Sequence, residues 1–176
     1  MKKIKVATVW LDGCSGCHMS LLDMDTAVIS LSRKIDLVYG PLVDAQEFPE
    51  DVDVTLVEGA VSSQDDLNKI QKIRQRTAIL ISLGDCAVTG NVPAMRNSFS
   101  PQKMLQQLYV DRVDAGKIVP TQRVPALLPQ ARPLREFVKV DFYLPGCPPP
   151  SKNIVALLND LLESRKPNGN LKVKFG

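Results

Sequence analysis

The stretch Lys3-Ile-Lys-Val-Ala-Thr-Val-Trp10, followed directly by Leu11-Asp-Gly-Cys-Ser-Gly-Cys-His18, decides the fold of this chain. The first segment alternates in polarity and is rich in Val and Ile, which predicts a β-strand. The second segment carries a C-x-x-C motif, and from Met19 to Leu31 the apolar residues recur at helical spacing. The sequence therefore begins with a strand, two cysteines in the loop after it, and a helix.

Strand and helix patterns alternate along the rest of the chain. Short strands are predicted at residues 35–39, 52–57, 78–83 and 138–144, and helices at 65–76, 101–110 and 151–162, with a Pro-Asn-Gly turn at 167–169. Ser62 or Ser63, and Ser151, are candidate helix caps. Parallel strands need a crossover connection, usually a helix, so the pattern predicts an α/β fold with a mostly parallel sheet. The length of 176 residues is that of a single domain, 1–176.

Residues 111–135 contain several prolines and show no clear period. A connection of this length without secondary structure is uncommon in a compact domain. We therefore expect this long loop, 111–135, to contact a partner.

Composition excludes several classes of function. The formal charge of +3 is spread along the chain and aromatic residues make up only 5%, so the charge pattern of a nucleic-acid binder is missing. The amino terminus faintly resembles a signal peptide, but Lys5 and Thr8 interrupt its apolar stretch. No apolar run approaches the roughly 20 residues of a transmembrane helix. We expect a cytoplasmic protein.

The four cysteines all follow predicted strand ends. Cys14 and Cys17 follow the first strand, Cys86 follows the strand that ends at Leu83, and Cys147 follows the one that ends at Leu144. The loops at the carboxyl edge of an open parallel sheet converge on one crevice, so these cysteines are expected to be neighbours. In a reducing cytosol, clustered cysteines more often bind metal or carry out redox chemistry than form disulfides.

Four thiolates can hold either an iron-sulfur cluster or a structural zinc ion. Zinc ribbons usually present two close C-x-x-C pairs, whereas Cys86 and Cys147 stand alone in separate loops, which favours a larger group. A thioredoxin-like dithiol would leave Cys86 and Cys147 unexplained. A zinc-stabilised α/β interaction module remains an alternative.

The residues around the cysteines would let the backbone come close to the sulfur atoms. Glycines flank all three cysteine loops and would let N–H groups point at sulfur; they are Gly13, Gly16, Gly84, Gly90 and Gly146. Prolines stiffen the last loop; they are Pro145, Pro148, Pro149 and Pro150.

Four further side chains have alternative interpretations. His18 is either an exposed residue of a first helical turn or a hydrogen-bond donor to a cluster sulfur or a partner. Glu58 is either a buried proton or hydrogen-bond group or an ordinary solvated strand end. Trp10 is expected in the core, and Asp85 is expected to cap its loop.

With these residues in view, the chain resembles the small subunit of nickel-iron hydrogenases, specifically the short form of the bidirectional, NAD(P)-linked enzymes. The resemblance runs nearly end to end and rests on four blocks: Trp10-Leu-Asp-Gly-Cys-Ser-Gly-Cys-His18, Val57-Glu-Gly-Ala60, Gly84-Asp-Cys-Ala-Val-Thr-Gly-Asn91 and Leu144-Pro-Gly-Cys-Pro-Pro149. The larger family members have an export leader and a second domain with ligands for further clusters, and this sequence has neither pattern.

The resemblance implies a flavodoxin-like open sheet with helices on both faces and one [4Fe-4S] cluster on Cys14, Cys17, Cys86 and Cys147. That cluster would face a nickel-iron centre in a separate large subunit, with Glu58 and its loop against that subunit. Because one cluster uses all four cysteines, electrons would leave through a partner iron-sulfur subunit joined to a flavin-containing NAD(P) module. The chain itself would be the electron relay of a hydrogen-oxidising or hydrogen-evolving enzyme.

The nearest rival is the homologous cluster subunit of the quinone-reducing respiratory complex I. That family typically has two adjacent cysteines at the first ligand position. This sequence has Cys14-Ser-Gly-Cys17 and no adjacent pair, which favours the hydrogenase interpretation.

Overall fold

A computed structural model describes residues 3–163 of the chain. Seven strands are found in this range: β1 (Ile4–Trp10), β2 (Ile35–Tyr39), β3 (Val52–Glu58), β4 (Val61–Ser63), β5 (Thr77–Leu83), β6 (Leu127–Arg132) and β7 (Phe142–Leu144). The α-helices are α1 (Gly16–Leu22), α2 (Ala27–Ser32), α3 (Gln64–Gln75), α4 (Gly84–Thr89), α5 (Asn91–Ala94), α6 (Pro101–Gln106) and α7 (Ser151–Leu162). The 167–169 turn lies outside the described residues.

Five of the strands form one parallel sheet in the order β2-β1-β3-β5-β7. This is the flavodoxin-like strand order, with a second sheet, β4 and β6, added as a small antiparallel pair. The predicted α/β fold is confirmed. Because all five strands run in the same direction, the loops that follow β1, β3, β5 and β7 emerge at one edge.

The alternation of side chains along each strand divides the core between the two faces of the sheet. In β1, Val6 packs on one face and Ala7 and Val9 on the other. One face is covered by α3, through Ile70 and Ile73. The other is covered by α7, through its buried residues Ile154, Leu157 and Leu158. Burying each such aliphatic side chain contributes about 1.5–3 kcal/mol, so these two layers hold the sheet rigid beneath its loops.

The sequence of α3 explains why this helix begins where it does. Ser63 is its cap, as expected: Asp66 N–H donates to Ser63 Oγ (3.1 Å), and Ser63 N–H donates to the Asp66 carboxylate (3.0 Å). This is a reciprocal capping box. Acidic residues in the first turn and basic residues in the last turn also complement the helix dipole.

The structure differs from the predicted elements in several places; α4 and α5 were not predicted, and the helix expected at 101–110 is an α-helix only to Gln106. The helix expected at 19–31 is two helices, α1 and α2, separated by a turn in which Asp25 adopts φ +50°. The strand expected at 138–144 is shortened to β7. The long loop 111–135 contains β6, which pairs with β4 across a long sequence separation that periodicity does not reveal.

Trp10 was expected in the core, and this is wrong. It is the last residue of β1, where the chain leaves the sheet, and 46% of its surface is exposed. Its indole N–H donates to the Gly13 carbonyl (3.0 Å), so it braces the loop that carries Cys14. Within residues 3–163, no helix is long and apolar enough to cross a membrane.

Candidate metal centre

The four cysteines lie in three loops at the carboxyl edge of the parallel sheet. Cys14 lies in the loop after β1, Cys17 in the first turn of α1, Cys86 in the first turn of α4 after β5, and Cys147 in the loop after β7. All four are free thiols. Cys14 and Cys147 are exposed, whereas Cys17 and Cys86 are partly buried, so the group of sulfurs lies at the surface with one side covered by the sheet.

The pKa of the Cys17 thiol shows that the cysteines share one electrostatic environment. Burial raises this pKa most, the Glu58 carboxylate raises it further, and the remaining three cysteines raise it as well. Like charges at short range disfavour ionisation. Four thiolates gathered here therefore repel one another unless a cation lies among them.

The Cys86 thiol has the same character. Burial raises its pKa, and Cys147 and Cys14 add to the rise, while a hydrogen bond from the Val92 backbone opposes it. Val92 belongs to α5, the helix that follows α4. Hydrogen bonds to the sulfurs are among the features that tune an iron-sulfur cluster. Sequence reasoning missed Val92, because an apolar residue donating through its backbone leaves no side-chain signal.

Gly84 brings the loops of Cys17, Cys86 and Cys147 close together. It adopts φ +81°, and a Cβ placed there would stand 2.2 Å from Cys17 Sγ and 3.4 Å from the Gly146 carbonyl oxygen. Only glycine combines this backbone conformation with this lack of bulk. Gly84 thus leaves the space that the Cys17 sulfur occupies.

Glu58 and His18 form a buried pair beside the cysteines. The side chains of His18 and Glu58 are 10% and 2% exposed, and Glu58 Oε2 accepts from the His18 backbone N–H (2.7 Å) and contacts His18 Nδ1 (2.8 Å). Glu58 is therefore the buried group of its two interpretations, and His18 is not the exposed first-turn residue; a bond from His18 to a cluster sulfur or a partner stays a prediction. This link ties the end of β3 to the segment that follows Cys17. His18 Nε2 is buried and has no partner among the described residues.

Asp85 connects the second and third cysteine loops. Its carboxylate does not cap α4; Oδ1 accepts from the Gly146 N–H (2.7 Å), and the Asp85 N–H donates to the Gly146 carbonyl (2.9 Å). Asp85 is 8% exposed. The expected cap of its own loop is therefore wrong, because the carboxylate binds a different loop, 61 residues away in sequence.

The other glycines predicted beside the cysteines also lie at the carboxyl edge of the sheet. A Cβ on Gly13 would stand 3.3 Å from Gly59 Cα and 3.4 Å from Glu58 Oε1, and one on Gly16 would stand 3.3 Å from Cys14 Sγ. Gly90 ends α4 at φ +94°. Sequence reasoning missed Ser20, whose hydroxyl donates to the Pro149 carbonyl (2.5 Å) and joins α1 to the proline-rich loop.

Within the described part of the chain, no three His, Cys, Asp or Glu side chains meet around one metal ion.

A family model matches most of the chain. Residues 14–161 match the family described as "NADH ubiquinone oxidoreductase, 20 Kd subunit". The match begins at the first cysteine of the site and ends within α7. It therefore includes all four cysteines.

Curated relatives are subunits of hydrogenases. The chain is 40% identical to the delta subunit of the NAD-reducing hydrogenase HoxS of Cupriavidus necator, over 93% of this chain and 80% of that one. It is 35% identical to a vhu subunit of the F420-non-reducing hydrogenase of Methanocaldococcus jannaschii, over 97% of this chain and 60% of that one. Two other relatives of the F420-non-reducing type are also longer, and the chain spans 50% and 58% of their length.

A crystal structure of an NAD+-reducing [NiFe]-hydrogenase in the H2-reduced state contains a chain with the same fold. The two chains superpose with a TM-score of 0.94 at 35% identity, over 99% of this chain and 100% of the other. This chain is therefore a member of the NADH ubiquinone oxidoreductase 20 Kd subunit family and, within that family, of the hydrogenase small subunits.

Proposed function

We propose that this chain holds one [4Fe-4S] cluster on Cys14, Cys17, Cys86 and Cys147 and relays electrons as the small subunit of a cytoplasmic nickel-iron hydrogenase. The observation that carries the proposal is the position of the cysteines. Every cysteine in the chain lies in one of three loops at the same edge of the parallel sheet. No cysteine lies elsewhere in the fold.

The residues of the site fit such a cluster. Cysteine thiolates are its usual ligands, and its iron ions would offset the burial and the mutual repulsion that raise the pKa of Cys17 and Cys86. The cluster has four iron ions, and each cysteine would bind a different one. The four sulfurs therefore need not meet around a single metal ion. The Val92 backbone lowers the pKa of Cys86, and Gly84 leaves room for the Cys17 sulfur.

When bound, the cluster supplies one-electron transfer and no bond-making chemistry. The residues of the chain hold and orient it. The buried Glu58 carboxylate fixes the segment after Cys17, and Asp85 fixes the loops of Cys86 and Cys147 to each other. His18 Nε2 is assigned to a hydrogen bond with a cluster sulfur or with the adjoining subunit.

The proposed partners follow from the number of cysteines and from the relatives. One cluster uses all four ligands, so electrons enter and leave through other subunits. We assign the nickel-iron centre to a large subunit that covers exposed Cys14 and Cys147. Residues 58–63 are buried within this chain, so Glu58 and its loop offer that subunit almost no surface, contrary to what the resemblance implies. A partner iron-sulfur and flavin module would exchange the electrons with NAD(P), and the 111–135 segment is a candidate contact.

The direct test is anaerobic isolation of the complex that contains this chain, followed by iron, sulfide and zinc analysis. The expected preparation has visible absorption that dithionite bleaches, and it reduces NAD(P) with hydrogen. Cys86→Ala should remove the iron, sulfide and signal of one [4Fe-4S] cluster, and this activity, together. Thr89→Ala is the matched control, because it changes α4 by removing a hydroxyl that donates to the Asp85 carbonyl (2.8 Å) and leaves all thiols. A cluster retained in Cys86→Ala, or zinc in place of iron, would refute the assignment.

The description of the matched family supports a second candidate, the cluster subunit of a complex I-like quinone oxidoreductase. The same four cysteines would hold the cluster, and the redox partner would be a quinone-reducing subunit. Identification of the copurifying subunits, together with hydrogen-dependent and quinone-dependent assays, separates the two. Activity with hydrogen supports the first, and activity with quinone alone supports the second.

A further inference from the structure

Two loops of the site are joined by a pair of hydrogen bonds that the parallel sheet does not supply. The ladder between β5 and β7 ends at the Leu83–Leu144 pair. Beyond it, Asp85 and Gly146 exchange two bonds: Asp85 N–H to the Gly146 carbonyl (2.9 Å) and Gly146 N–H to Asp85 Oδ1 (2.7 Å). We call this the Asp85–Gly146 link. In it, a carboxylate oxygen takes the place of a main-chain acceptor.

The link lies one residue before a cysteine in each loop. Asp85 precedes Cys86, and Gly146 precedes Cys147. Both linked residues are buried, so water does not compete for the bonds. The separation of the two sulfurs therefore depends on this link more directly than on the ladder behind it.

Glycine geometry leaves the link little freedom. Gly146 adopts φ +136°, and a Cβ there would stand 2.7 Å from Pro149 Cα. The Cβ position of Gly84 lies 3.4 Å from the same Gly146 carbonyl that Asp85 N–H binds. The backbone on both sides is packed tightly, so loss of the carboxylate acceptor would leave the Gly146 N–H without an alternative partner.

We propose that Asp85 is a positioning residue, which sets the separation of Cys86 and Cys147 and thereby holds the cluster. This rests on the proposed function, because it needs those cysteines to be ligands. The essential feature is the side-chain oxygen that accepts from Gly146. Asp85→Asn keeps such an oxygen, and Asp85→Ala removes it.

The structure contains a control at the other end of the β5–β7 ladder, just before its first pair, Ile81–Phe142. Asp141 N–H donates to the Leu80 carbonyl (2.9 Å), and Leu80 N–H donates to Asp141 Oδ2 (2.8 Å). This is the same two-bond arrangement between the middle of β5 and the segment that leads into β7, on the side of the ladder away from the cysteines, and here the carboxylate also pairs with Arg74 (2.6 Å). Asp141→Ala therefore reproduces the general loss of stability without touching the cluster loops.

The test compares the anaerobically isolated complex and its variants by the rate at which an iron chelator removes the cluster and by the EPR spectrum of the reduced cluster. Asp85→Ala is expected to lose its cluster about 10–100-fold faster, the usual effect of removing a residue that orients metal ligands. Its EPR spectrum is also expected to change. Asp85→Asn should restore both properties, and Asp141→Ala should lower the melting temperature while keeping both.

Several results would overturn the proposal. They are a wild-type loss rate and spectrum in Asp85→Ala, failure of Asp85→Asn to restore them, or equally fast loss in Asp141→Ala. If Asp85→Ala does not fold, Asp85→Ser replaces it, because its shorter side chain also lacks the distal oxygen. An iron-free wild-type complex would instead refute the proposed function, so the two failures are distinguishable.

Discussion

Replacing Gly84 by Ala would separate the stability of the fold from the occupancy of the cluster site. The new Cβ would lie 2.2 Å from Cys17 Sγ. Carbon and sulfur atoms need at least about 3.5 Å, so the sulfur would have to move by about 1.3 Å. Metal-ligand distances tolerate only about 0.2 Å. A cluster bound through Cys17 is therefore expected to be lost.

The cost to the fold is much smaller. The left-handed conformation costs an alanine about 1–2 kcal/mol, which lowers the melting temperature of a domain of this size by about 2–8 °C. Without a cluster, the Cys17 side chain can rotate away from the new methyl group, so the clash adds little. Gly116→Ala is the matched control, because Gly116 adopts φ +67° and has nothing within 4 Å of its Cβ position.

The assay is thermal unfolding of both variants together with iron content after anaerobic isolation. Both variants are expected to melt at similarly lowered temperatures. Only Gly84→Ala should lose the iron and sulfide of one [4Fe-4S] cluster relative to the wild-type complex. Full iron content in folded Gly84→Ala would refute the role of Cys17 Sγ, and iron loss in Gly116→Ala would refute the steric argument.

Three other changes test the parts of the fold that support the site. Glu58→Ala leaves the buried His18 N–H without an acceptor, so it should lower the free energy of unfolding by about 1–3 kcal/mol in urea titrations. Glu58→Gln keeps an acceptor oxygen and should lower it less. Equal losses in the two variants would contradict this role of Glu58. Ser63→Ala removes the capping box of α3 and should lower the same free energy by about 0.5–2 kcal/mol, and no loss would contradict it. Burial raises the pKa of Asp141, but bonds from Leu80 N–H and Arg74 outweigh it and hold this pKa below its ordinary value of 3.8. The Asp141 carboxylate therefore stabilises the fold above pH 3.8 and loses this effect as the pH falls through its folded-state pKa. The difference in unfolding free energy between the wild type and Asp141→Asn should shrink in acid. A difference that does not change with pH would contradict the assignment.

The sheet and the position of the cysteines could be predicted because both depend on local patterns. β1, β3 and β5 are rich in Val, Ile and Leu and mostly buried, and each cysteine follows a strand end. The rule that loops meet at the carboxyl edge of a parallel sheet then brings the cysteines together. The four sequence blocks that resemble the hydrogenase small subunits indicated which other residues lie near the cysteines.

Contacts between distant segments could not be predicted in the same way. β4 has only three residues and β6 lies in a proline-containing stretch, so their pairing gives no periodic signal. The Asp85–Gly146 link joins residues 61 apart, and an aspartate at a strand end suggests a local cap first. Trp10 fits the strand pattern, but that pattern does not show where β1 leaves the core.

The most direct test of the central claim is Mössbauer spectroscopy of the anaerobically isolated complex, with the cysteines of this chain replaced singly by serine. One [4Fe-4S] signal is expected to belong to this chain and to be lost or altered in each of the four variants. An unchanged spectrum in Cys14→Ser, Cys17→Ser, Cys86→Ser or Cys147→Ser would contradict the claim that these four sulfurs bind one cluster.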